Sequence, residues 1–298
     1  MFLFLSGRTG MAKSIRGTRR FAALSVSAAL LFFSCIPGEK PRIAAAGSSA
    51  APAGAASGQD SGAEETELLF SAKVQQVLSR ALLPGELARS IMSAAVDGPG
   101  FILDLLACLE ADPALRRLVD KSHALPQGYE PEDLTELAGG AYNINRRGLM
   151  LRAAAAASLA QMAAASRADG AVLLAASAYR SYDYQVEVYA RNVAADGQEE
   201  ADRVSARPGY SQHQTGLALD FGPIDNSFAE TPGGRWVRSN AARFGWSLSF
   251  PQGYEEVTGY AWESWHYRYV GPELAAFIDA YFDGIQQYAL RFIHEWEH

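Results

Sequence analysis

Ser211-Gln212-His213-Gln214-Thr215-Gly216-Leu217-Ala218-Leu219-Asp220 is the stretch on which the fold turns. Gly216 separates a polar segment from an apolar one and marks a turn. Beyond it Leu217, Leu219 and Phe221 alternate with Ala218, Asp220 and Gly222, the period of a strand with one apolar face. Asp220 falls on the other face. A carboxylate in so apolar a strand is costly unless it is paired, bonded to backbone amides or bound to a metal. A turn at Gly216 would carry the strand back so that Asp220 and His213 approach one another.

A second segment reads the same way. In Glu263-Ser264-Trp265-His266-Tyr267-Arg268-Tyr269, strand alternation sends Trp265, Tyr267 and Tyr269 to one face and Ser264, His266 and Arg268 to the other. Together the two segments supply two imidazoles, one carboxylate and a spare Glu263. Three protein ligands and one open position are the pattern of a hydrolytic zinc site, and Glu263 stands where such a site needs a base for its water. A third segment, Ser177-Ala178-Tyr179-Arg180-Ser181-Tyr182-Asp183-Tyr184-Gln185, places Arg180 at a strand end, where it can stabilise the oxyanion of an attacked amide. Taken alone, each segment also fits a blander reading: a buried Asp on backbone amides, a half-buried strand, a solvated Arg.

A competing zinc motif is His294-Glu295-Trp296-Glu297-His298, which matches HExxH letter for letter. As a catalytic centre it lacks a downstream third ligand, and a fraying helix end is a poor support. A surface helix end is the expectation there.

Further out, residues 68–118 carry a helical pattern punctuated by Pro84, Gly98, Gly100 and Pro113, with no chemistry in it. Residues 124–134 are turn-rich. An alanine-rich helix is expected over 147–168, a strand in AVLLAASAY, a helix over 182–193, strands in GLALDFG, WSLSF and WHYRYV, and a closing helix interrupted near Gly284. Strands and helices are interspersed rather than strictly alternating, which predicts an α+β fold with a small antiparallel sheet flanked by helices. The expected division is a leader over 1–34, a linker over 35–66, a helical N-terminal extension over 67–117 and the main domain over 118–298.

The leader carries Lys13, Arg16, Arg19 and Arg20, then the uncharged run 21–33, then Ser34-Cys35. This is the layout of a secretory signal, with an apolar run too short for a comfortable membrane span; either Met1 or Met11 can be the start. Cys35 resembles the cysteine of a lipobox, with Phe32 where leucine is usual. Lipidation there would tether the protein to a membrane outside the cytoplasm. The Ala-, Gly-, Ser- and Pro-rich residues 38–65 read as a flexible linker. The other cysteine, Cys108, reads as a small buried residue on a helix. With 33 acidic against 26 basic residues, net charge −7 and no basic stripe after the leader, nothing suggests nucleic-acid binding. The sequence is silent on oligomeric state.

The three motifs SQHQTGLALD, ESWHYRYVG and SAYRSYDYQ, in that family's order and spacing, resemble the VanY-type D-alanyl-D-alanine carboxypeptidases. LPQGYEPEDL, RPGYSQHQTG and FGWSLSFP add to the resemblance, which runs from about residue 118 to 290. It implies one Zn2+ held by His213, Asp220 and His266, Glu263 as general base and then acid, and Arg180 polarising the scissile carbonyl. Ser211 and Gln185 would line the site or orient Arg180, and Ser177 and Tyr179 of the same motif would face substrate. It implies the α+β fold shared with small zinc D,D-peptidases and the Hedgehog signalling domain, and a peptidoglycan stem peptide as substrate, cut at a D,D or an L,D bond. Gln212 stands where the family usually has Glu, Ser264 replaces a Pro, and Ser249-Phe250 replace an Arg-Tyr pair. The alternative is a peptidoglycan-binding lipoprotein with a vestigial metal site, against which the intact Glu263 argues.

Overall fold

The alternating residues of the two histidine motifs become neighbouring strands. A computed structural model of the chain describes residues 60–298; the expected leader, Cys35 and most of the linker lie outside the described residues. Three helices come first, α1 (Asp60–Arg80), α2 (Gly85–Val96) and α3 (Gly100–Glu110). Pro84 and Pro99 immediately precede α2 and α3, where a missing amide hydrogen breaks no helical bond. There follow β1 (Leu134–Glu136), β2 (Asn143–Ile144), β3 (Met150–Arg152), α4 (Ala153–Ala168), β4 (Leu174–Ser177), α5 (Tyr182–Asp196) and α6 (Gln198–Val204). The chain continues with β5 (Ala218–Phe221), α7 (Pro232–Asn240), β6 (Trp246–Leu248), α8 (Glu255–Thr258), β7 (His266–Tyr269), α9 (Pro272–Tyr281) and α10 (Gln286–Glu297).

Five strands form one sheet in the order β2-β4-β5-β7-β6. Its pairs are antiparallel except at the β2-β4 edge, which is parallel. β1 and β3 pair separately, antiparallel. The register sets Asp220 opposite His266 on one side and opposite Ser177 on the other. Period two then does the sorting. Leu217, Leu219, Phe221, Tyr267 and Tyr269 join the main core with Leu159 and Met162 of α4, while Asp220 and His266 share the opposite face. This is an α+β fold with a helical N-terminal region.

The helix expected from residue 147 begins at Ala153, because Met150–Arg152 are drawn into β3 against β1. Arg152 pins that corner by pairing with Asp133 at 2.7 Å and Asp112 at 2.9 Å. The closing helix breaks where expected: Asp283 and Gly284 both take positive φ, and α9 gives way to α10. Residues 67–298 form one compact unit. Within it Phe101 of α3 packs its ring against Phe277, Tyr281 and Phe292 of α9 and α10. Cys108 is buried in α3, as its apolar surroundings suggested. Among the described residues no single helix is long and apolar enough to cross a membrane.

Candidate active site

Gly216 adopts φ 69°, closing the short 3-10 helix Gln212–Thr215 and turning the chain into β5. The Ser211 hydroxyl caps that helix by accepting from the His213 amide. The turn folds His213 back over the strand, and β7 brings His266 from the other side. His213 Nε2 then lies 3.2 Å from Asp220 Oδ2, and His266 Nδ1 lies 3.0 Å from Asp220 Oδ1. All three residues are buried.

Each imidazole is held from behind. His213 Nδ1 faces the Ala178 carbonyl at 2.7 Å, so that nitrogen carries the hydrogen and Nε2 presents a lone pair. His266 Nε2 faces Gln212 Oε1 at 3.2 Å, which leaves Nδ1 with the lone pair. Neither lone pair can hydrogen-bond an ionised carboxylate. Accordingly His213 Nε2 and Asp220 Oδ1 have no hydrogen-bond partner despite their closeness. Orphaned acceptors facing one point are what a cation would resolve. Bonds of 2.0–2.1 Å in a tetrahedron put ligands roughly 3.4 Å apart, close to the separations seen. His213, Asp220 and His266 are the group among the described residues whose ligand atoms gather in this way, all within 4.8 Å of one another.

Glu263 precedes β7, its Oε2 3.5 Å from His266 Nδ1. Burial pushes its carboxyl well above the usual range, reinforced by Asp220 and opposed by Arg180. Burial also works to raise Asp220, but the two imidazoles hold it well below its ordinary value. His213 is pushed down to about 4 by burial and by the Arg180 charge, which keeps the imidazole neutral. Arg180 follows β4 and donates from Nη1 to Gln185 Oε1 at 3.0 Å, with Nη2 3.9 Å from Asp220 Oδ2. Gln185 is anchored in turn to the Ala206 carbonyl. These groups line one cavity of about 390 Å3.

A family model described as VanY, D-alanyl-D-alanine carboxypeptidase, matches residues 148–272. YodJ of Bacillus subtilis (strain 168), a provisionally assigned carboxypeptidase, is 35% identical over 59% of this chain and 67% of its own length. The chain belongs to the VanY family. A D-alanyl-D-alanine carboxypeptidase of Enterococcus faecalis (strain ATCC 700802 / V583) is 38% identical over 38% of this chain and 46% of that protein. The solved LdcB LD-carboxypeptidase superposes with a TM-score of 0.51 and 34% identity, over 56% of this chain and 85% of that one.

Against that VanY-family frame, the structure gathers Arg180, Gln185, Ser177, Ser211, His213, Asp220, Glu263 and His266 around the cavity, but not Tyr179. The Tyr179 amide is spent on the Met150 carbonyl, and its phenol lies within the field of Glu130 rather than in the cavity. β4 ends at Ser177, so the strand alternation that would have put Tyr179 on the same face as Ser177 no longer governs it. Sequence reasoning missed Arg146, Tyr184, Tyr210 and Tyr260, which also line the cavity. They come from separate loops and helices and carry no shared spacing. Two of the departures from the VanY pattern touch: Ser249 donates its hydroxyl to Gln212 Oε1 at 2.7 Å, the same oxygen that receives His266.

Proposed function

We propose that the chain is a zinc-dependent carboxypeptidase that removes C-terminal D-alanine from peptidoglycan stem peptides. The observation that carries this reading is the convergence of the His213 and His266 lone pairs on Asp220, with Glu263 and Arg180 in the same cavity. Two neutral imidazoles and one carboxylate are a donor set that suits zinc and leaves a fourth position open. Zinc so held supplies a Lewis acid and lowers the pKa of a bound water toward about 7. Glu263 takes the proton as the water oxygen bonds to the carbonyl carbon. It returns the proton to the amine as the carbon–nitrogen bond breaks. Arg180, fixed by Gln185, donates to the oxygen that gains charge. Ser177 and Ser211 offer polar contacts to the peptide.

The sequence supports placing this enzyme outside the cytoplasm, tethered through a lipid on Cys35, with residues 35–66 as the tether. The relatives' names span both D-alanyl-D-alanine and LD activities, so the test presents both substrates. Purified protein is given a stem tetrapeptide and a stem pentapeptide, and released D-alanine is measured with and without a chelator. Release from either peptide that stops with chelation and returns with zinc is the expected result. No release at any zinc loading would leave only peptide binding, and the proposal would fall.

A further inference from the structure

The motif that the catalytic reading leaves unused, His294-Glu295-Trp296-Glu297-His298, lies at the end of α10. Its two histidines sit one turn apart on one helical face, ring centroids 4.3 Å apart. A third imidazole arrives from far upstream: the His123 ring stands 4.8 Å from that of His294. That matches the 4.9 Å between His213 and His266. The five histidines of the chain thus fall into two clusters, and this one is remote from the catalytic residues in sequence and shares none of their cavity.

The outer two rings each have one nitrogen already tied. His123 Nδ1 lies 2.7 Å from Asp120 Oδ1. Asp120 is itself fixed by the amides of Ser122 and His123 and by Gln287 Nε2. A carboxylate behind one imidazole nitrogen orients the other and makes it a stronger ligand. His298 Nδ1 rests on the His294 carbonyl at 2.8 Å, leaving Nε2 free. A cavity of about 140 Å3 opens beside His123 and His294. Of the arginines on its wall, Arg291 is engaged with the Val257 carbonyl.

We propose that His123, His294 and His298 form a second metal site, for a divalent transition cation. Three neutral imidazoles suit Zn2+, Cu2+ or Ni2+ and do not suit Ca2+ or Mg2+. As the side chains stand, their ligand nitrogens do not all lie within 4.8 Å of one another. They close on one ion when His298, which is exposed, releases the His294 carbonyl and turns about its side-chain torsions. An ion held there would cross-link the end of α10 to the 120–123 loop.

The test titrates zinc into the full, metal-stripped chain and counts equivalents. Wild type is expected to take one equivalent more than the His294→Gln/His298→Gln double variant, and His123→Gln to bind that equivalent at least tenfold more weakly. Turnover should be the same in all of these chains. His298→Gln alone, a change at an exposed side chain, provides the same comparison should the double variant fold poorly. Equal metal content in wild type and these variants overturns the proposal, as does an extra equivalent unaffected by His123→Gln. The readout is a difference between chains, so it holds whether or not the catalytic cavity takes zinc.

Discussion

Glu263 and Asp220 share one buried cavity, and two carboxylates so placed are driven to different proton affinities. Asp220 is held below its ordinary value by the imidazoles when they carry protons, and a cation between them would do the same when they are neutral. Glu263, raised by burial and by the Asp220 charge against the pull of Arg180, is left free to take up and release a proton. Glu263→Gln removes that capacity and no ligand. It is expected to retain zinc and to lose turnover by at least about a hundredfold, the usual scale of general-base catalysis; metal content and kcat measured on the same sample decide it. Gln212 acts one step further out. Its Oε1 receives both His266 Nε2 and the Ser249 hydroxyl. Gln212→Leu strands the buried His266 Nε2–H and leaves the Ser249 hydroxyl only a longer contact to Gln286 Oε1 at 3.4 Å, a cost of roughly 1–3 kcal/mol. It also frees the His266 ring, and loss of such a supporting bond typically weakens metal binding by about 10–100-fold. Thermal unfolding and competition with a chelator should move together; an unchanged zinc affinity would mean that Gln212 does not orient the ligand.

At the scale of elements, the site depends on one turn. Gly216 ends the 3-10 helix and starts β5 at φ 69°, and an added Cβ would stand 2.9 Å from Leu134 Cδ2 and 3.0 Å from Arg152 Cγ. Gly216→Ala is expected to cost about 1–2 kcal/mol from the backbone alone, and to shift His213 relative to Asp220. Lower melting temperature with weaker zinc binding is the expected pair of results; lost stability with intact zinc affinity would show that the turn positions nothing. This turn, β5 and β7 were legible in the sequence because a period-two pattern interrupted by a lone acid or imidazole has few cheap explanations. β1, β2 and β3 were not. Two- and three-residue strands are too short to show a period, and their pairing is decided by partners far along the chain. The same holds inside the site. His213, Asp220, His266 and Glu263 announce themselves by residue type, whereas the Ala178 carbonyl that fixes the His213 tautomer is a backbone atom that any residue would supply.

Across the whole molecule, residues 67–117 read in sequence as an extension, but their packing ties them to the sheet-bearing part. Phe101 is buried against rings from α9 and α10. Arg116 pairs with Glu297 at 2.8 Å. Arg268 of β7, fully buried, donates from Nη2 to the carbonyls of Ala114, Leu115 and Arg117. A segment bonded to the strand that carries His266 should not unfold by itself. Phe101→Ala opens a cavity among aromatic rings, worth about 3–5 kcal/mol, or roughly 10 °C in a unit of this size. The expected result is a single unfolding transition, shifted downward as a whole, with zinc-dependent stabilisation still present below it. Calorimetry showing two transitions, of which only the first moves, would instead make the helices an independent unit resting on the catalytic part.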